Sequence, residues 1–104
     1  MERIEKLKAF LEQTPNDCFL QHALALEYIK LGDDVQARLL FESLLNHDAS
    51  YVGSYFHLGK LQARNNEIGL AIATYEKGME EAKKQGDRHA YSELQGALEE
   101  LTDD

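Results

Sequence analysis

Residues 24–41 read LALEYIKLGDDVQARLLF, and this stretch decides the fold. The residues up to Leu31 favour helix, and Gly32 can take the left-handed conformation that ends one. Asp33 offers a capping oxygen, and Gln36 follows three positions later, as in a capping box. The stretch therefore predicts a helix, a tight turn and a second helix.

The same chemistry marks the other helix boundaries. Pro15 disfavours helix at Thr14, and Asn16 and Asp17 offer capping oxygens to the helix that follows. Further breaks of this kind fall at residues 46–50, 65–66 and 86–87. We predict an all-α protein of about six helices, with four of them over about residues 2–13, 17–31, 34–46 and 88–101.

Composition and charge limit the class of protein. The 104 residues include 19 acidic and 11 basic side chains, a formal net charge of −8 and a single cysteine. One cysteine excludes an internal disulfide, and no apolar run reaches the roughly 20 residues that span a bilayer. The charged first residues lack the apolar core of a signal peptide. We predict a cytoplasmic protein without a membrane partner and, because acidic chains repel phosphates, without a nucleic-acid partner.

The sequence repeats itself with a period of about 34 residues, a length found in helical repeat proteins. A shift by one period aligns small residues with small ones and large apolar residues with large ones: Leu24 with Leu58, Ala25 with Gly59, Ala37 with Ala71 and Phe41 with Tyr75. Such a period on a helix–turn–helix unit is typical of a solenoid, in which each unit buries a face against the next.

These residues resemble the tetratricopeptide repeat pattern, which Tyr28 and Gly32 also match. The second unit departs from it, with Gln62 in place of Tyr28, Asn66 in place of Gly32 and Gly78 in place of Leu44. The resemblance implies a right-handed superhelix of antiparallel helices in a single domain over residues 1–104. That domain would comprise a half unit (1–15), two repeats (16–50 and 51–85) and a capping helix with an acidic tail (86–104).

The last predicted helix has an apolar stripe suited to a cap. The stripe consists of Ala90, Tyr91, Leu94, Ala97, Leu98 and Leu101.

The resemblance also implies a non-enzymatic scaffold or adaptor for protein–protein interaction. The first helix of each pair would line a concave groove that holds a partner peptide or helix. The candidate groove residues are two aromatics, two histidines, three cations and one leucine: Phe19, His22, Leu26, Lys30, Phe56, His57, Lys60 and Arg64. This composition favours an acidic partner segment with an apolar anchor. Alternatively, Phe19 and Leu26 pack against a neighbouring helix and the cations are ordinary solvated charges.

Signals for chemistry are weak. The sequence contains no phosphate loop, dinucleotide fingerprint, zinc-hydrolase motif or calcium loop. Cys18 lies near a helix start, where the dipole could lower its thiol pKa, but a spacer role is the stronger interpretation. His22 and His57 lack a third metal ligand. We predict no catalytic residue, no metal site and no cofactor.

Self-assembly is the alternative function. The first helix resembles the second helix of a unit that lacks its first, so its open flank could accept another chain. However, Ile4, Leu7, Phe10 and Leu11 form one stripe, which packing on the second helix would cover. We therefore expect a monomer in preference to a homodimer.

Overall fold

The computed structural model describes residues 2–102, which form six helices and no strand. The helices are α1 (Glu2–Gln13), α2 (Cys18–Lys30), α3 (Asp34–His47), α4 (Gly53–Arg64), α5 (Ile68–Gln85) and α6 (Arg88–Thr102). The all-α prediction is confirmed, and each of the four predicted helices begins and ends within one position of its expected bounds. The last two residues of the predicted acidic tail lie outside the described residues.

The chain divides into two compact units, Met1–Asp48 and Ala49–Asp104. In the first unit, α1 and α3 both pack against α2. In the second unit, α4 and α5 pack together and α6 packs against both. The assignment of the whole chain to a single domain stays a prediction.

The turn at Gly32 recurs in the second unit with a different residue. Gly32 has φ 78° and Asn66, at the same position of the next repeat, has φ 67°, so both adopt the left-handed conformation. The hydrogen bonds also correspond: the Asp33 amide donates to the Tyr28 carbonyl, and the Glu67 amide donates to the Gln62 carbonyl, both at 2.9 Å. Asn66 thus replaces the turn glycine without changing the turn, because asparagine tolerates positive φ better than most residues.

Three aspartates cap helix starts. Oδ1 of Asp17, of Asp33 and of Asp87 each accepts a backbone N–H at 3.0–3.1 Å. Each satisfies one of the free N–H groups in the first helical turn. The predicted capping role of Asp17 and Asp33 is confirmed.

The core of the first unit lies between α2 and α3. Ala25, Ala37, Phe41 and Leu44 are fully buried at 0 % exposure. The His22 ring stands edge-on to Phe41 with centroids 5.7 Å apart, so this candidate groove residue also packs against the core. Small and large side chains interlock here as the repeat pattern predicts.

The apolar stripe of α1 is not covered as expected. Ile4 and Leu7 are buried, Leu11 is half-buried and Phe10 is 58 % exposed. At about 100° per residue, Phe10 lies about 120° around the helix from Ile4, at the margin of the stripe. Packing against α2 covers the centre of the stripe and leaves Phe10 in solvent, so the expectation that packing would cover the whole stripe is wrong.

The core of the second unit contains two close approaches at glycines. A Cβ atom at Gly59 would overlap the ring of Tyr75, which is itself 2 % exposed. A Cβ atom at Gly78 would lie 2.6 Å from Tyr55 Cβ and 2.9 Å from Leu94 Cδ1. Gly78 therefore departs from the repeat pattern because α4 and α6 both press against α5 at this point.

The last helix covers the second unit only in part. Leu94 is 1 % exposed, whereas the other five residues of its predicted apolar stripe are half-buried. Leu94 packs against α5 at the centre of the stripe, and Tyr91 and Leu98 lie on a flank that stays open to solvent.

Candidate functional site

The first four candidate groove residues lie on α2. Phe19, in its first turn, is 69 % exposed, and Lys30 at the last turn is also exposed. His22 and Leu26 between them are half-buried. The alternative that Phe19 packs against a neighbouring helix is therefore wrong, while Leu26 is partly used in packing.

Lys30 is engaged in an ion pair within its own unit. Its Nζ lies 3.0 Å from Oε2 of Glu27, and Nε of Arg3 lies 3.2 Å from the same oxygen. The hydrogen bond from Lys30 holds the pKa of the Glu27 carboxyl below its usual value, and Arg3 adds to this effect. Glu27 thus offsets part of the positive charge that the sequence places on this face of α2.

The other four candidate groove residues lie on α4. Phe56 and His57 are half-buried and meet edge-on, with ring centroids 5.5 Å apart. Nζ of Lys60 lies 5.4 Å from the centre of the Phe56 ring, within cation–π distance. Lys60 and Arg64 are exposed. This face presents an aromatic ring and an ammonium group side by side.

His57 favours its neutral form. Burial lowers the pKa of its imidazole, and the charges of Lys60 and Arg64 lower it further, against the opposing effect of Glu93 on α6. A neutral imidazole supplies one hydrogen-bond donor and one acceptor instead of a positive charge. At neutral pH the cations of this face are therefore Lys60 and Arg64.

The candidate residues of α2 and those of α4 belong to different units. Each helix presents its own set of residues. That the two sets line one groove stays a prediction.

Some exposed apolar side chains were missed by the sequence reasoning. Leu31, Val35 and Leu39 are 53 %, 69 % and 56 % exposed in the first unit. Val35 and Leu39 are one helical turn apart on α3, on the opposite side from the buried Ala37. That spacing is visible in the sequence and could have marked a second apolar face.

Cys18 does not have the properties of a reactive thiol. Burial raises the pKa of its Sγ–H group, and the carboxylates of Asp48 and Asp17 raise it further. The suggested lowering by the helix dipole is therefore in the wrong direction. Sγ lies 3.9 Å from the Asn16 carbonyl, to which it donates a weak hydrogen bond.

Within residues 2–102, no three histidine, cysteine or acidic side chains are grouped so that they could hold a metal ion. Across the same residues, no helix combines the length and apolar character needed to cross a membrane.

Comparison with known proteins shows which solved structures share this fold. A crystal structure of a tetratricopeptide repeat domain protein from Salinibacter ruber is 42 % identical, covers 83 % of this chain and 96 % of its own, and superposes with a TM-score of 0.80. A solution structure described as a tetratricopeptide repeat domain protein from the same organism gives the same identity and TM-score over 84 % of this chain and 88 % of its own. A solution structure of a Bordetella parapertussis protein is 26 % identical over 95 % of this chain and 86 % of its own, with a TM-score of 0.82.

No family model matches the chain, and neither does any curated protein sequence. The structural likeness nevertheless combines high sequence identity with nearly complete coverage of the Salinibacter domain. It agrees with the repeat period of the sequence, the matching left-handed turns at Gly32 and Asn66, and the close approach of Gly59 to Tyr75. The chain belongs to the tetratricopeptide repeat family.

Proposed function

We propose that this protein is a cytoplasmic, non-enzymatic adaptor that binds an acidic segment of a partner protein through the exposed faces of α2 and α4. The observation that carries the proposal is the exposure of Phe19. This side chain is 69 % exposed although it lies on a helix whose other large apolar residues are at least half-buried. An exposed aromatic ring on the first helix of a repeat is suited to anchoring an apolar side chain of a ligand.

The charges of α4 supply the second element of recognition. Lys60 and Arg64 are one helical turn apart and exposed, in a chain of net charge −8. An acidic ligand is repelled by most of this surface and attracted here, so it is directed to this face. Because the Lys60 ammonium lies over the Phe56 ring, a carboxylate bound to it would lie next to an apolar surface. This arrangement suits a segment in which an acidic residue follows or precedes a large apolar one.

A binding role is also supported by the chemistry of the remaining candidates. Burial raises the pKa of the Cys18 thiol and so suppresses the thiolate that nucleophilic chemistry needs. His22 packs edge-on against Phe41, and His57 favours its neutral form. A neutral His57 adds no positive charge to this face, so attraction of an acidic ligand comes from Lys60 and Arg64.

The proposal is tested with a set of fluorescein-labelled acidic peptides. Each peptide contains one leucine or phenylalanine, flanked by aspartates and glutamates. We expect the wild-type protein to raise the anisotropy of at least one of these peptides, and added salt to weaken the binding. Lys60→Glu combined with Arg64→Glu should reduce affinity at least about tenfold at low salt, because two attractions become two repulsions. Phe19→Ser should weaken binding at all salt concentrations.

The matched control is Lys83→Glu combined with Arg88→Glu. It makes the same change in net charge at the α5–α6 turn and should bind the peptides almost as the wild type does. Circular dichroism should show unchanged helicity in every variant, because all the substituted residues are exposed. Wild-type affinity in a folded Lys60/Arg64 variant would contradict the proposal.

A further inference from the structure

The exposed flank of α1 contains a position that is buried in a complete repeat. Phe10 is 58 % exposed, yet Leu44, which occupies the same position of the next repeat, is 0 % exposed. Around Phe10 lies a surface depression of about 350 Å³. We call it the head flank; its lining consists of Glu2, Arg3, Lys6, Leu7 and Phe10.

The second unit shows what buries this position. Gly78 follows Leu44 by one further repeat period, and it lies against Tyr55 of α4 and Leu94 of α6. At Gly78 the position is therefore enclosed by α4, the first helix of its own repeat, and by α6, the helix that follows. For Phe10 the next first helix is α2. Within residues 2–102 no helix precedes α1 to play the part of α4.

Within residues 2–102, no second helix follows α6, just as no first helix precedes α1. Tyr55, Leu58 and Gln62 of α4 recur with the same spacing as Tyr91, Leu94 and Leu98 of α6, so α6 has the pattern of a first helix. In α4, the flank that carries Tyr55 and Gln62 is covered by α5: Thr74 Oγ1 donates to Gln62 Oε1 at 2.6 Å, and Tyr55 is 5 % exposed. In α6, Tyr91 and Leu98 are only half-buried.

Tyr91 and Leu98 line an open groove of about 300 Å³ along α5 and α6. We call it the tail groove; its lining consists of Glu76, Met79, Glu80, Lys83, Tyr91 and Leu98. By the correspondence between α4 and α6, this groove is the place where the second helix of a further repeat would pack.

We propose that the tail groove of one molecule binds α1 of a second copy of the same chain. The α6 helix of the first copy and the α1 helix of the second copy together form one complete repeat. In that repeat Phe10 meets Tyr91, as Gly78 meets Tyr55 in the second unit. The contact joins two different surfaces, so it is heterologous. It involves none of the candidate groove residues and does not depend on the proposed adaptor function.

The charges of the two surfaces are complementary. The head flank carries the cations Arg3 and Lys6, 64 % and 68 % exposed, beside one anion, Glu2. The tail groove carries the carboxylates Glu76 and Glu80 beside one cation, Lys83. Neither Glu76 nor Glu80 forms an ion pair with another described residue. Within its own chain Arg3 pairs with Glu27 at 3.2 Å and Lys6 pairs with Glu2 at 3.1 Å. The tail groove thus carries the excess negative charge, and the head flank offers two exposed cations that can exchange these surface ion pairs for Glu76 and Glu80.

The experiment measures molecular mass by sedimentation equilibrium between about 1 µM and about 1 mM protein. The wild type should gain mass as concentration rises. The head variant, Phe10→Ser, removes the aromatic ring of the head flank. The tail variant, Glu76→Lys with Glu80→Lys, reverses the charge of the tail groove. Each variant alone should associate at least about tenfold more weakly than the wild type. An equimolar mixture should form a dimer, because each variant keeps one intact surface of the pair.

Two controls match these variants. Leu39→Ser removes an apolar side chain of similar exposure, 56 % against 58 % for Phe10, outside the head flank. Glu93→Lys with Glu100→Lys makes the same charge change on the side of α6 away from Tyr91. Both should associate as the wild type does. All substituted residues are exposed, so helicity and melting should be unchanged.

Three results would overturn the proposal. The first is a wild type that stays monomeric up to about 1 mM, because a specific contact should populate a dimer in that range. The second is a tail variant that dimerises alone while the head variant does not, since that indicates a contact between two head flanks. The third is a mixture of folded head and tail variants that stays monomeric while the wild type associates.

Discussion

Gly59 on α4 lies directly against the ring of Tyr75 on α5, so closely that a Cβ atom at position 59 would stand 2.7 Å from Cδ1 and 2.8 Å from Cζ of the ring. The corresponding pair in the preceding repeat is Ala25 and Phe41, both 0 % exposed. A small residue on the first helix and an aromatic ring on the second thus recur in both units. This complementarity allows the two helices of each repeat to pack closely.

Gly59→Ala should destabilise the protein. The Tyr75 ring is 2 % exposed, so relieving the overlap requires displacing a buried ring. Overpacking of this kind should cost about 1–3 kcal/mol, only partly offset by the higher helix propensity of alanine. Urea unfolding followed by circular dichroism measures the change. Gly69→Ala is the control: a Cβ atom there meets nothing within 4 Å, so the substitution should be neutral or stabilise by up to about 1 kcal/mol. Equal stability of the two variants would contradict the packing described here.

Ala37→Leu and Ala71→Leu should each lower the free energy of unfolding by about 1–3 kcal/mol, because both alanines are 0 % exposed at repeat positions where helices meet. Thermal melts give the comparison. Ser92→Ala, at an exposed position on α6, should change stability by no more than about 0.5 kcal/mol. Unchanged melting of both leucine variants would mean that the repeat register is wrong.

The two corresponding turns should respond differently to substitution. Gly32→Ala forces a Cβ atom into φ 78° and should cost about 1–2 kcal/mol. Asn66→Gly relieves a residue at φ 67° and should be neutral or slightly stabilising. Chemical denaturation of both variants tests whether both turns require a left-handed residue. A Gly32→Ala variant as stable as the wild type would contradict that requirement at position 32.

His57 should make stability depend on pH. Because burial lowers its pKa in the folded state, the unfolded chain binds more protons in the range below its ordinary pKa of about 6.5. The contribution of His57 to stability is therefore present above that pH and is lost as pH falls through the lowered pKa. Melting temperatures between about pH 7.5 and 5 should decline less in His57→Gln than in the wild type. His47→Gln, at an exposed histidine, should follow the wild-type curve.

The candidate groove was predictable in part. Helix periodicity correctly placed Phe19 and Lys30 on α2, and Lys60 and Arg64 on α4, at exposed positions. It did not indicate that Lys30 pairs with Glu27 at 3.0 Å, because that pairing depends on side-chain rotamers. It also missed the exposed Val35 on α3.

The sequence by itself determined the helices, their ends and the repeat. Asp17, Asp33 and Asp87 cap helices, and Gly32 and Asn66 close turns, through hydrogen bonds that span only a few residues. Such interactions depend on near neighbours in the chain, so local patterns are enough to predict them.

Only the tertiary structure decided which parts of each pattern are buried. It left Phe10 exposed because α2 covers the centre of the α1 stripe and not its margin. It required glycine at position 78 because Tyr55 and Leu94 approach α5 from two other helices. It raised the pKa of the Cys18 thiol through burial and the carboxylate of Asp48, which is distant in the chain. Burial depends on groups that are far apart in sequence, and no local pattern records which of them will meet.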